Sequence, residues 1–135
     1  MLVRAIHTSY TFRAPTWPLI SIAIPARDEE DNLAKAITRA LELQRPRIDV
    51  IVINDGSTDG TAAIADEFGK KANVQVVHHS SPRGKSRSLN EGMQQAASEL
   101  VLIIDADAGP DFNILERMAS HFALEPVTPL YPLAN

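Results

Sequence analysis

Two aspartates separated by a single residue, Asp105 and Asp107, follow directly on the apolar run Leu100-Val101-Leu102-Ile103-Ile104. Side chains alternate along a strand, so extended geometry carried past Ile104 turns both carboxylates to one side at its carboxyl end. Paired hard oxygen ligands of this kind suit Mg²⁺ or Mn²⁺, which fill their other positions with water and substrate phosphates. A nucleotide diphosphate is the natural guest. Polar residues gather after three other apolar runs as well: Pro25-Ala26-Arg27-Asp28-Glu29-Glu30, Asn54-Asp55-Gly56-Ser57-Thr58-Asp59-Gly60-Thr61, and Ser81-Pro82-Arg83-Gly84-Lys85-Ser86-Arg87 leading into a segment with Asn90.

The elements that must position these residues are legible in the apolar periodicity. Strand-like runs cover Leu19 to Pro25, Val50 to Asn54, Val74 to His78 and Leu100 to Ile104. Between them, Leu33, Ile37, Ala40 and Leu41 share a helical face, as do Ile64, Ala65 and Phe68, then Leu89, Met93, Ala96 and Ala97; a final helix is expected to carry Leu115, Met118, Ala119 and Phe122. Strands alternating with helices predict βαβ units, hence an α/β fold with a parallel sheet, helices on both faces and right-handed crossovers. Ligands of such sheets bind beyond the carboxyl ends of the strands, where all four polar clusters fall.

The two ends fit this pattern less well. Residues 1–18 mix aromatic, basic and β-branched types without a period and read as an extension or a disordered arm. Residues 123–135 carry Pro126, Pro129 and Pro132, which remove donors and fix φ, so they read as a Pro-rich tail. The domain proper is expected over 19–122. Four strands followed by such a tail resemble half of a domain, a truncation of a larger one.

Composition limits the partners. The chain has 135 residues, 44% hydrophobic and 22% charged, enough for one globular core. A net charge of −4 without a basic stripe argues against nucleic acid. No cysteine is present, so disulfides and thiolate metal sites are excluded, which agrees with a cytoplasmic setting. No apolar run approaches the roughly 20 residues of a membrane span.

Each cluster also has a local explanation. Glu30 is expected to cap a helix and complement its dipole, while Asp28 and Glu29 suit either capping or ligand binding. Ser57, Thr58 and Asp59 suit a turn and N-cap, whereas Asp55, straight after a buried strand, suits the N–H of a pyrimidine. Arg83, Lys85 and Arg87 at a helix amino terminus oppose its dipole, which favours a bound phosphate nearby. His78 and His79 are strand neighbours facing opposite ways, so they do not share a metal, though one can line the site.

Taken together, Ile22-Ala23-Ile24-Pro25-Ala26-Arg27-Asp28-Glu29-Glu30, Val52-Ile53-Asn54-Asp55-Gly56-Ser57-Thr58-Asp59-Gly60-Thr61, Gly84-Lys85 with Leu89-Asn90, and Asp105-Ala106-Asp107 resemble the family 2 glycosyltransferases in order and spacing. The resemblance implies the Rossmann-like, N-terminal half of a GT-A fold, a nucleotide-sugar donor, commonly a UDP-sugar, and inverting transfer to a glycan or lipid acceptor by the complete enzyme. It further implies that Pro25, Ala26 and Arg27 wall the nucleoside, that Glu29 lies near ribose or base, that Asp55 reads the uracil, that Lys85 lies beside the nucleotide, and that Asp105 and Asp107 contact ribose and the metal-diphosphate. The family often has Asn at the position of Asp28 and Asp at that of Asn54. Asn54-Asp55-Gly56-Ser57 is similar to bacterial synthases of poly-N-acetylglucosamine type.

Inverting transfer also needs a general base at the acceptor hydroxyl. In the resembled family it comes from the second half of the fold, and after Phe122 this sequence offers only Glu125, directly before Pro126. The expectation is therefore a donor-binding half, incomplete as an independent catalyst, with the complete protein at the inner face of the membrane. The alternatives are a non-catalytic nucleotide-binding or interaction module and a receiver-like domain, although no strand here ends in the Lys that a receiver uses.

Overall fold

The computed structural model describes residues 2–5, 19–42, 47–98 and 100–108. Within them the order is β1 (Leu2–Ala5), β2 (Leu19–Ala26), α1 (Leu33–Leu41), β3 (Arg47–Asp55), α2 (Thr61–Phe68), β4 (Val74–His79), α3 (Lys85–Met93) and β5 (Leu100–Ile103). The strands form one sheet in the order β1-β5-β2-β3-β4. The last four of these pair in parallel, and β1 runs antiparallel along β5.

The apolar runs are continuous because the sheet is covered on both sides. Val50, Ile51, Val52 and Ile53 in β3 are all 0% exposed, yet consecutive side chains serve different layers. Ile20, Ile22, Ile24, Val50, Val52, Leu100 and Leu102 meet α1 and α2 through Leu33, Ala36, Ile37, Ala40 and Ala65. Ala23, Ile51, Ile53 and Val101 pack on the opposite side against Leu89 and Met93 of α3. Helix α1 forms because its buried residues 33, 36, 37 and 40 fall on one 3.6-residue stripe.

This order fixes where a ligand can sit. Chain connections lead from β2 to β3 and β4 on one side, while β5 returns to the other side of β2, so β2 and β5 flank the topological switch point. On sheets of this kind the carboxyl ends of the strands that flank the switch point are where ligands bind. At the other end of the strands, Ser98 accepts the Ser21 N–H at 2.8 Å and anchors the entry to β5 against β2.

Several elements differ from the sequence reading. Leu2–Ala5, read there as part of an extension or arm, forms the edge strand β1; its register slips between Leu2 and Arg4, and that bulge removes the alternation that marks a strand in sequence. Strand β3 begins at Arg47, three residues before the apolar run at Val50. Helix α3 ends at Met93, so Ala96 reaches the core from the turn that follows while Ala97 is exposed. The helix expected around Leu115 to Phe122 and the Pro-rich tail lie outside the described residues.

The approach of α3 to the sheet is close enough to test. A Cβ on Gly92 would lie 2.3 Å from Ile53 Cδ1 and 2.4 Å from Cγ1. Replacing a helical glycine by alanine gains about 1 kcal/mol of propensity, but overpacking a filled core costs about 1–3 kcal/mol. Urea unfolding should therefore find Gly92→Ala less stable than the parent chain, and Ile53→Val in the same chain, by removing Cδ1, should return part of the loss.

Candidate functional site

Hydrogen bonds between successive loops assemble the carboxyl edge. The chain turns sharply after β2, where Asp28 adopts φ 53°, a left-handed conformation that suits its short polar side chain. From there Asp28 Oδ1 accepts the Thr58 N–H at 2.7 Å, and the Asp28 N–H donates to Ser57 Oγ at 3.0 Å. The Glu29 N–H donates to Thr61 Oγ1 at 2.8 Å, and Glu30 Oε2 accepts the Gly60 N–H at 2.8 Å. Asp59 accepts from the Thr61 N–H at 2.9 Å and from the Glu30 N–H at 3.2 Å. The Thr61 hydroxyl, above all, holds the Asp59 carboxyl below its ordinary value.

These contacts revise the local explanations. Helix α1 starts only at Leu33 with Asn32 as its N-cap, so Glu30 does not cap it. Glu30 instead serves the head of α2, whose N-cap is Gly60. Asp28 likewise fastens the loop after β2 to that after β3, and Ser57, Thr58 and Asp59 are structural, as their turn chemistry suggests. Glu29 Oε2 accepts from its neighbour Asn32 at 3.0 Å and stays half-buried.

At the end of β3, Asp55 joins the next loop. It is only 5% exposed. Its Oδ1 accepts the Arg83 N–H at 2.8 Å and its Oδ2 the Gly84 N–H at 3.0 Å, while His79 Nδ1 lies 3.3 Å from Oδ1. Burial alone would raise this carboxyl, but the Ser88 hydroxyl, the Arg83 amide, His79 and the Gly84 amide outweigh it and hold it at about 2, below the ordinary 3.8. A carboxylate offers about four lone-pair positions, so most of the acceptor capacity expected to meet a pyrimidine N–H is engaged from inside. The same loop passes close to Gly56, whose φ is +67° and where a Cβ would lie 2.6 Å from Pro82 N.

The two histidines divide as strand alternation requires. His78 Nε2 donates to Asp66 Oδ1 of α2 at 2.6 Å and its Nδ1 accepts from Asn54 Nδ2 at 3.0 Å, an arrangement fixed because Asn54 Oδ1 accepts the Ser57 N–H. His79 turns to the other layer, with Nδ1 3.1 Å from Ser88 Oγ and Nε2 2.9 Å from Glu91 Oε2 of α3. The two rings thus have separate partners, His78 on α2 and Asn54, His79 on α3 and Asp55.

Lys85, the first residue of α3, forms an ion pair with Asp105 beyond β5, which brings these two expected site residues together across the switch point. The basic residues at the head of α3 have anions within the chain: Arg83 Nη1 donates to both Glu91 oxygens at 2.8 Å, Arg87 lies 3.8 Å from Glu91, and Lys85 meets Asp105. These pairs offset part of the cost of holding the cations against the helix dipole. Extended geometry does not continue past Ile104, since residues 106–108 turn and the Ala108 N–H donates to the Asp105 carbonyl. Strand alternation therefore does not set the relation of Asp105 to Asp107; both are exposed, with Ala106 buried between them. Pro25 is half-buried, Ala26 buried and Arg27 exposed at the end of β2. Among the described residues no group of three or more His, Asp or Glu forms a ready metal cage. No helix among them is long and apolar enough to cross a membrane.

Glu91 is the contributor that the sequence reading misses. The available signal was a carboxylate near the carboxyl end of a helix, where the dipole disfavours it.

Comparison with known proteins adds an independent line. The description Glycosyl transferase family 2 matches residues 21–129. A poly-beta-1,6-N-acetyl-D-glucosamine synthase of Staphylococcus epidermidis is 36% identical over 107 residues, covering 79% of this chain and 26% of that protein. The chain spans about a quarter of the length of that synthase and about a quarter to two fifths of other curated relatives it matches. Among solved structures, S. aureus TarS 1-349 in complex with UDP-GlcNAc superposes with a TM-score of 0.68 at 24% identity, over 76% of this chain and 30% of that one. The mannosyltransferase PcManGT of Pyrobaculum calidifontis, in complex with GDP-Man and Mn²⁺, gives 0.66 at 25% identity, over 84% and 33%.

The role of Asp55 makes a pH-dependent prediction. Its carboxyl is depressed in the folded chain, so the stabilisation is fully present above the ordinary 3.8 and is lost as the pH falls from there through about 2. Asparagine cannot accept both amides, because its nitrogen is a donor. Asp55→Asn should therefore cost about 1.5–3 kcal/mol at neutral pH, and urea unfolding followed from neutrality to pH 3 should show a shallower acid loss than in the parent chain.

Proposed function

The chain belongs to glycosyl transferase family 2 and carries the Rossmann-like N-terminal half of a GT-A fold, and from that footing we propose that its carboxyl edge binds a nucleotide-diphospho-sugar, a UDP-sugar first, for inverting sugar transfer. The observation that carries the reading is the meeting of Lys85 and Asp105 at the switch point, with Asp107 in the turn beside them. UDP-GlcNAc in TarS and GDP-Man with Mn²⁺ in PcManGT support it by analogy of fold.

In this reading Pro25, Ala26 and Arg27 line the nucleoside and Glu29 lies toward ribose or base. Asp55 contributes chiefly by fixing Arg83 and Gly84, with at most a shared lone pair for the uracil N–H. Asp105 faces the ribose and, together with Asp107, holds a divalent cation; two exposed carboxylates with no nitrogen or sulfur donor fit Mg²⁺ or Mn²⁺. When bound, such a cation offsets the charge that develops on the departing nucleoside diphosphate. Lys85, released from Asp105, would place its ammonium beside the same phosphates. The acceptor-side base is assigned to none of the described residues, and a glycan or lipid acceptor is proposed for the complete enzyme.

Titration of the chain with UDP and with uridine, each with and without Mn²⁺, tests this assignment. UDP should bind more tightly with the metal, and Asp107→Ala should remove that metal-dependent part, a loss of about 1.5–3 kcal/mol, while leaving uridine binding nearly unchanged. Identical metal dependence in the two chains would sink the assignment.

A further inference from the structure

Helix α3 carries its charges in an order that harms it as a helix. Lys85 and Arg87 occupy the positive end and Glu91 lies in the last turn, where the dipole favours the opposite sign. The Arg87 to Glu91 spacing also runs in the weaker direction for an i,i+4 pair. Glu91 is therefore explained by its tertiary contacts. It takes both 2.8 Å contacts of Arg83 Nη1 and lies 2.9 Å from His79 Nε2.

Those contacts close a ring. Asp55 accepts the backbone N–H of Arg83, the Arg83 guanidinium reaches Glu91, Glu91 meets His79, and His79 returns to Asp55. His79 is 5% exposed at its side chain and Asp55 7%, so the inner half of the ring is shielded from solvent and salt. Next to Arg83 stands Gly84, whose amide donates to Asp55 Oδ2 at 3.0 Å and whose φ of +89° makes the turn that starts α3 at Lys85. An unpinned glycine turn has many conformations available, and Lys85 is the next residue.

We propose that Glu91 is a positioning residue: by clamping the Arg83 side chain against His79 it fixes the Gly84 turn and thereby aims Lys85 across the switch point. The nucleotide consequence rests on the reading above, but the clamp does not. In the 135-residue chain, Glu91→Ala should speed hydrogen exchange at the Arg83 and Gly84 amides by about tenfold or more, with little change in β2 and β3. UDP with Mn²⁺ should bind about fivefold more weakly to that variant, and in a Lys85→Ala background the same substitution should cost nothing further. Glu91→Gln, of similar volume and with one oxygen left to accept, should show both effects in reduced form and carries the test should Glu91→Ala not fold. Unchanged exchange at Arg83 and Gly84 overturns the inference whether or not UDP binds. So does a loss of UDP affinity that is as large without Lys85 as with it. A parent chain that binds no UDP, while Glu91→Ala still releases the turn, overturns the nucleotide reading and upholds the clamp.

Discussion

The site edge depends on one buried carboxylate. Asp55 sits at the end of β3, and its two oxygens accept successive amides, those of Arg83 and Gly84, across a gap in sequence of nearly thirty residues. That pair holds the loop between β4 and α3 against the end of β3, directly before Lys85. The arrangement is possible only because the chain comes close there: Gly56 lacks a side chain where Pro82 passes, and its positive φ turns the backbone away at once. A charge is tolerable in this position because backbone amides, a hydroxyl and an imidazole replace the water it has lost.

From Asp55 outward, the loops are linked in a series. The segment after β2 is tied to the one after β3 by Asp28, Glu29 and Glu30; the end of β3 is tied to the head of α3 by Asp55; and the head of α3 meets the turn after β5 through Lys85 and Asp105. The series runs along the switch-point edge of the sheet, the edge at which ligands of open α/β sheets bind. The Asp28 and Glu30 carboxylates thus act as scaffold between the loops, while Asp105 and Asp107 stay exposed.

Most of the architecture is legible in the sequence because buried parallel strands are written as unbroken apolar runs and helices as 3.6-residue stripes. Strand β1 escapes this reading through its bulge, and the amino-terminal part of β3 through Arg47 and Asp49, polar residues outside the apolar run. The gathering of polar clusters at one edge is legible too, since it follows from strand direction alone. What the sequence does not disclose is which polar group is paired with which. The basic residues before and within α3 suggest an external anion and give no hint that Glu91 and Asp105 also reach them, and Glu30 looks like a cap for the helix that follows it until Gly60 is found within 2.8 Å. Pairings of that kind depend on a few ångströms of loop geometry, which no periodicity encodes.

The two sides of this edge are fastened by different forces. Between the loops after β2 and β3 the links are short bonds from backbone amides to carboxylate and hydroxyl oxygens, which depend on local geometry and respond weakly to dissolved ions. On the α3 side the outermost links join full charges, and the Lys85 and Asp105 side chains are 58% and 49% exposed. Mobile ions weaken such exposed pairs, with a screening length of about 8 Å at physiological ionic strength. Rising salt should therefore soften the edge from the α3 side, loosening Lys85 and Asp105 while the bonds between the loops after β2 and β3 keep their geometry.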